Sequence, residues 1–100
     1  MRKIQDPQTE IPLAGLEDYY QDFLTSREAE LNELRFALTQ PDFAAVMALA
    51  HKWKGFSAPY GFGQLGVLAA ELEEAARNSS LDSCHALISE VSDYLRFKKT

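Results

Sequence analysis

The stretch Asp42-Phe43-Ala44-Ala45-Val46-Met47-Ala48-Leu49-Ala50-His51-Lys52-Trp53-Lys54-Gly55-Phe56-Ser57-Ala58 decides how the chain reads. Its apolar residues Phe43, Val46, Leu49, Ala50, Trp53 and Phe56 recur at the spacing of an amphipathic helix. Pro41 stops any helix before it, Asp42 is a good N-cap, and Pro59 ends the stretch with Gly61 as the turn. Steps of about 100° per residue from His51 put Val46, Leu49, Trp53, Phe56 and Tyr60 on the far, core side. The near side holds Ala44, Met47, Ala48, Gly55, Ala58 and Phe62, flanked by Lys52 and Lys54. His51 therefore points outward among small residues.

The same period continues on both sides. Upstream, Leu16, Tyr20, Phe23 and Leu24 share one face, and Leu31, Leu34 and Leu38 another. Thr25 with Glu28 resembles a capping box, so either a new helix starts there or one long helix runs on with a bend. Downstream, a stretch from about Phe62 to Arg77 aligns Leu65, Leu68, Leu72 and Ala76. Asn78-Ser79-Ser80 is a break with ready capping oxygens. The last stretch, from about Leu81 to Phe97, turns inward Leu81, Cys84, Leu87 or Ile88, Val91 and Leu95. Lys98 and Lys99 follow, where cations favour a helix C-terminus. No hairpin turn, sustained alternation or internal repeat appears.

Each apolar stripe needs another to cover it. The expected fold is all-α: an antiparallel up-and-down four-helix bundle with an additional short N-terminal helix. That helix lies across one end or extends the next one. Pro7 and Pro12 make residues 1–12 an extended N-terminal arm, and 13–100 form the bundle domain.

Composition excludes several classes of function. One hundred residues, 46% of them hydrophobic and 25% charged, make one globular domain and no disordered tail. A net charge of −5 disfavours a nucleic-acid partner. No apolar run approaches the roughly 20 residues of a membrane span, and the polar start Met1-Arg2-Lys3 is no signal peptide. The single cysteine, Cys84, forms no internal disulfide and suits a reducing cytoplasm, the expected location. Gly61, Gly63 and Gly66 fit no nucleotide-binding fingerprint.

Gly55 is the telling residue beside His51. Glycine inside a helix is about 1 kcal/mol less favourable than alanine. A missing side chain one turn from an exposed imidazole lets another protein's surface come close. Lys54, on nearly the same face, suits an anion on the ring. Met47 and the alanines form an apolar surface of the kind that marks partners.

His51-Lys52-Trp53-Lys54-Gly55-Phe56-Ser57 resembles the His-x-hydrophobic-Lys-Gly-x-Ser signature of histidine phosphotransfer domains. The resemblance runs through Tyr60-Gly61-Phe62, Leu65, Leu68, Leu72-Glu73 and Ala75-Ala76-Arg77, and upstream through Arg27, Leu31, Leu34, Ala37, Leu38 and Asp42. It spans roughly Leu16 to Leu95. Phe56 departs from the commonest pattern, where a serine is often found.

The resemblance implies a phosphocarrier in a multistep two-component phosphorelay, without kinase activity of its own. His51 would be the phosphoacceptor, attacking through Nε2. Glu73 would accept from Nδ1, Lys54 would stabilise the phosphoryl charge, and Arg77 could assist. Ala44, Met47, Ala48, Gly55, Ala58 and Phe62 would dock the receiver. The implied partners are response-regulator receiver domains and a hybrid sensor histidine kinase. No cofactor or metal is implied on this chain; magnesium is expected only on the receiver. A monomer is expected, since the His51 face must stay free, and Met1 with short polar ends favours a free-standing protein. Blander readings stand beside these. Glu71, Glu73 and Glu74 could be a solvated helix face, and Arg77 a helix-end charge. The alternative function is a non-phosphorylated helical module binding receiver or kinase domains. A metal or haem bundle ranks last, because Cys84 and His85 are poorly spaced as ligands and His51 faces out.

Overall fold

Short connections reverse the chain three times. In the computed structural model, which describes residues 2–99, the helices are α1 (Tyr20–Thr39), α2 (Phe43–Phe56), α3 (Gly63–Arg77) and α4 (Leu81–Lys98). Each packs on the next and α4 closes back on α1. The result is a four-helix bundle of 39 × 23 × 22 Å, with no strand among the described residues.

Local chemistry sets the boundaries. Asp42 caps α2, its Oδ1 accepting from the Ala45 N–H at 3.0 Å. Thr25 and Glu28 start no new helix: α1 runs unbroken through them, because Phe23, Leu24, Arg27 and Leu31 are buried on both sides of the would-be cap. The stripe Leu16, Tyr20, Phe23 and Leu24 makes no separate helix of its own: the 3-10 turn Glu17–Tyr19 leads directly into α1, which holds Tyr20, Phe23 and Leu24, and the arm expected to be extended contains a 3-10 turn, Pro7–Glu10. The α3–α4 break is closed by backbone bonds from Ser79 N to Ala76 O and Ser80 N to Ala75 O, with Ser79 left-handed at φ 52°. The Ser80 side chain makes no cap bond.

Leu34, Val46, Ala50, Trp53, Leu65, Leu68, Leu72, Val91 and Leu95 fill the core. Both Leu87 and Ile88 are buried, whereas Leu81 is exposed at the start of α4. One end of the bundle is aromatic. Phe62 packs at a tilt against Tyr20 and Phe23, at centroid distances of 4.9 and 4.7 Å, and meets Tyr94 edge-on. Phe62 is thus fully buried and cannot belong to a docking surface. The angular extrapolation fails because α2 ends at Phe56. The 3-10 turn Ala58–Tyr60 and left-handed Gly61 (φ 92°) then swing the next residue inward.

The N-terminal segment lies along this end. Arg2 bridges Glu71 at 2.5 Å and Glu90 at 2.7 Å, tying α3 to α4. Glu10 accepts from Tyr94 Oη, Lys98 Nζ and the Gln64 N–H at 2.5, 2.9 and 2.8 Å. Lys98 is therefore no solvated helix-end cation: it is buried, and its Nζ also donates to Gly61 O at 2.7 Å.

Candidate functional site

The inward stripe of α2, Val46, Ala50 and Trp53, turns His51 to the surface with its side chain 70% exposed. On α3, buried Leu72 and Ala76 place Glu73 at the edge that faces α2. Its Oε2 lies 2.9 Å from His51 Nδ1, and its Oε1 accepts from Lys54 Nζ at 2.7 Å. One carboxylate thus engages both polar residues of the near face. Arg77 NH2 stands 4.0 Å from Glu73 Oε2, but the closer partner of Arg77 is Glu74.

The Lys54 bond, then the His51 bond, hold Glu73 below the usual carboxylate range despite desolvation. Glu73 is therefore an anion near neutrality and an acceptor only. The proton in the pair belongs to Nδ1, and in the neutral ring that leaves a lone pair on Nε2. Among the described residues Nε2 has no hydrogen-bond partner. The arrangement presents an outward imidazole nitrogen with a cation beside it.

The acidic run divides by partner. Glu73 faces His51, Glu71 pairs with Arg2, and Glu74 with Arg77. Around the imidazole, Ala44, Ala48, Gly55 and Ala58 are exposed, and Met47 is half-buried against the core. A Cβ built on Gly55 meets nothing within 4 Å, so nothing in this chain's own packing requires glycine there. Ala48 also borders a groove of about 380 Å³ between α1 and α2, with Leu34, Ala37, Ala45 and Leu49.

A second carboxylate supports the same turn. Glu30 of α1 accepts from Trp53 Nε1 at 2.8 Å and Lys52 Nζ at 2.7 Å. The sequence reading did not single it out. A buried indole needs an acceptor, but nothing local says which residue supplies it. Cys84 is buried, and burial pushes its thiol up, as for a small core residue; His85 is exposed. Among the described residues no three His, Cys, Asp or Glu side chains converge as a metal site, and no helix is long and apolar enough to cross a membrane.

The family model described as Hpt domain matches residues 18–96. No curated protein and no solved structure matches the chain.

Proposed function

From the premise that this chain belongs to the Hpt domain family, we propose that it is a phosphocarrier whose phosphoacceptor is His51. The family's role is histidine phosphotransfer in phosphorelays. On this reading His51 takes a phosphoryl group from the aspartyl phosphate of one receiver domain and gives it to the aspartate of another. The supporting observation is the exposed imidazole whose Nδ1 is engaged by an ionised Glu73, leaving Nε2 facing out.

The chemistry follows from that geometry. The Nε2 lone pair attacks phosphorus in line, the N–P bond forms, and the bond between phosphorus and the bridging carboxyl oxygen of the aspartate breaks. The receiver's carboxylate leaves with the electron pair. The ring keeps its Nδ1 proton and becomes an imidazolium, whose charge Glu73 faces at 2.9 Å. Lys54 has one alternative to Glu73, the incoming phosphoryl oxygens. The exposed Ala44, Ala48, Gly55 and Ala58, with half-buried Met47, would admit the receiver, which brings the magnesium; we assign this chain no cofactor and no kinase activity. A hybrid sensor kinase would supply the phosphoryl group upstream.

The test mixes the purified protein with a receiver charged by acetyl phosphate and magnesium, and reads intact mass. The expected result is an acid-labile, alkali-stable phosphoryl adduct that is absent from His51→Gln. No adduct from demonstrably charged receivers would leave a helical interaction module. An adduct persisting in His51→Gln would mean another residue carries the phosphate.

A further inference from the structure

The turn of α2 that carries His51 is gripped from two sides. Glu73 of α3 engages His51 and Lys54, and Glu30 of α1 engages the two residues between them, Lys52 and Trp53. Four consecutive residues cover a full helical turn of about 3.6 residues, so every side of this turn is tied.

Both carboxylates are largely buried, but the Glu30 grip reaches a buried donor: Trp53 is fully buried, whereas the side chains of His51 and Lys54 are 70% and 43% exposed. Arg27 Nε stands 2.7 Å from Glu30 Oε1, off the N–H direction, so that contact is an ion pair and not an aligned hydrogen bond. The Arg27 guanidinium lies over Phe23 and over Phe56 of α2, at 4.4 and 4.8 Å from the ring centroids. Burial opposes the charge on Glu30, but Lys52, Trp53 and Arg27 outweigh it and hold the carboxyl below its ordinary range.

We propose that Glu30 is a positioning residue for phosphoryl transfer: through Trp53 and Lys52 it fixes the rotation of α2, keeping His51 Nδ1 on Glu73 and Nε2 outward. The magnitudes make rotation matter. At a side-chain radius of about 5 Å, a rotation of about 20° displaces the ring by about 1.8 Å. That breaks a 2.9 Å bond. Such a shift removes the acceptor that selects the Nδ1–H tautomer and tilts the nucleophile off the line of attack. The inference rests on His51 being the phosphoacceptor.

The test compares wild type with Glu30→Ala, Glu30→Gln and Val91→Ala, a core change on α4. The readouts are the ¹⁵N shifts of the His51 ring, which report the nitrogen carrying the proton, and the initial rate of transfer from a charged receiver. Glu30→Ala is expected to lower the Nδ1–H population and slow transfer by about 10-fold to 100-fold. Glu30→Gln, which keeps an acceptor for the indole, is expected to restore both to within about threefold. Val91→Ala is expected to lose stability and move neither readout. If Glu30→Ala does not fold, Trp53→Phe removes the indole donor together with part of a fully buried side chain and is expected to move both readouts in the same direction, which the core change Val91→Ala does not. Unmoved ¹⁵N shifts and an unchanged rate, in a wild type that accepts phosphate, would overturn the positioning role alone. A wild type that accepts none would overturn the phosphoacceptor reading, and this inference with it.

Discussion

Lys54 Nζ rests 2.7 Å from Glu73 Oε1, the carboxylate oxygen that His51 does not use. The cation is already paired before any phosphate arrives. Its side chain is 43% exposed, so the pair sits in a wet environment and is exchangeable. A phosphoryl group on Nε2 would bring a stronger anion to the same face. Lys54→Ala should therefore change stability by less than about 1 kcal/mol and slow transfer by about tenfold or more. Denaturation and rapid-quench kinetics check the two halves separately. A normal rate in a stable Lys54→Ala protein would remove Lys54 from the mechanism.

On the proposed mechanism Glu73 would have two separable roles. It would select the Nδ1–H tautomer, and its charge would face the imidazolium formed on transfer. Glu73→Gln keeps an acceptor and drops the charge. A charge-assisted bond exceeds a neutral one by about 1 kcal/mol, so the ratio of phosphorylated to unphosphorylated protein at equilibrium with a fixed receiver should fall about fivefold in Glu73→Gln. Glu73→Ala loses both and should fall further. Equal fractions in wild type and Glu73→Gln would show that the charge contributes nothing.

The features that sequence conveyed are local ones. Apolar stripes and the Pro41-Asp42 break mark the helices because period and capping are properties of neighbouring residues. His51, Lys54 and Gly55 lie within one helical turn and share a face by geometry alone. Periodicity alone left Glu73 as one of three glutamates, since its partner lies 22 residues away and periodicity does not say which helix comes alongside; the resemblance is what named it as the Nδ1 acceptor. Phe62 was misplaced because angular steps were carried past the end of α2. Glu30 and Lys98 were not read as site or core residues because a charge in sequence shows no partner. Those partners are 23 and 88 residues away.

Acid should loosen the bundle through particular carboxylates. Glu30, Glu73 and Glu90 all lie below the ordinary value of 4.5 in the folded chain: bonds from Lys52 and Trp53 outweigh burial at Glu30, and bonds from Lys54 and Arg2 lead at Glu73 and Glu90. The folded form then binds fewer protons than the unfolded form. The stability they contribute is present above the unfolded value and lost as pH falls through the folded ones. Thermal melting from pH 7 to pH 3 should steepen below about 4.5, and the acid limb should flatten in Glu30→Gln. An identical acid limb in that variant would show that Glu30 is not part of the linkage.

Gly55 separates stability from docking. Open space surrounds its missing side chain, so Gly55→Ala should stabilise the fold by about 0.5–1 kcal/mol, or about 2–8 °C in Tm. Gly55→Leu should fold equally well but obstruct a partner. Phosphorylation by a small donor such as phosphoramidate should then stay normal while transfer from a receiver slows. If both donors slow together, the effect lies at His51 itself and not at a docking surface.

The buried clasp between Glu10 and Lys98 ties the N-terminal segment to the end of α4. Their side chains are 13% and 6% exposed, and Tyr94 and the Gln64 N–H converge on the same carboxylate. Burial and Glu10 together push the Tyr94 hydroxyl well above its ordinary range, so it stays a neutral donor. Glu10→Ala leaves the Tyr94 hydroxyl without this acceptor and the buried Lys98 ammonium with backbone carbonyls but no counter-charge, a loss of about 3 kcal/mol and about 12 °C or more in Tm. The clasp sits at the aromatic end, away from the turn that holds His51, so phosphorylation well below the melting temperature should persist. Lys98→Met alone should also destabilise by stranding Glu10. The double variant should then lose less than the sum, with a coupling of about 2 kcal/mol. Additive losses would mean that the two residues act separately, and that the segment is held by Arg2 and its contacts with Glu71 and Glu90 instead.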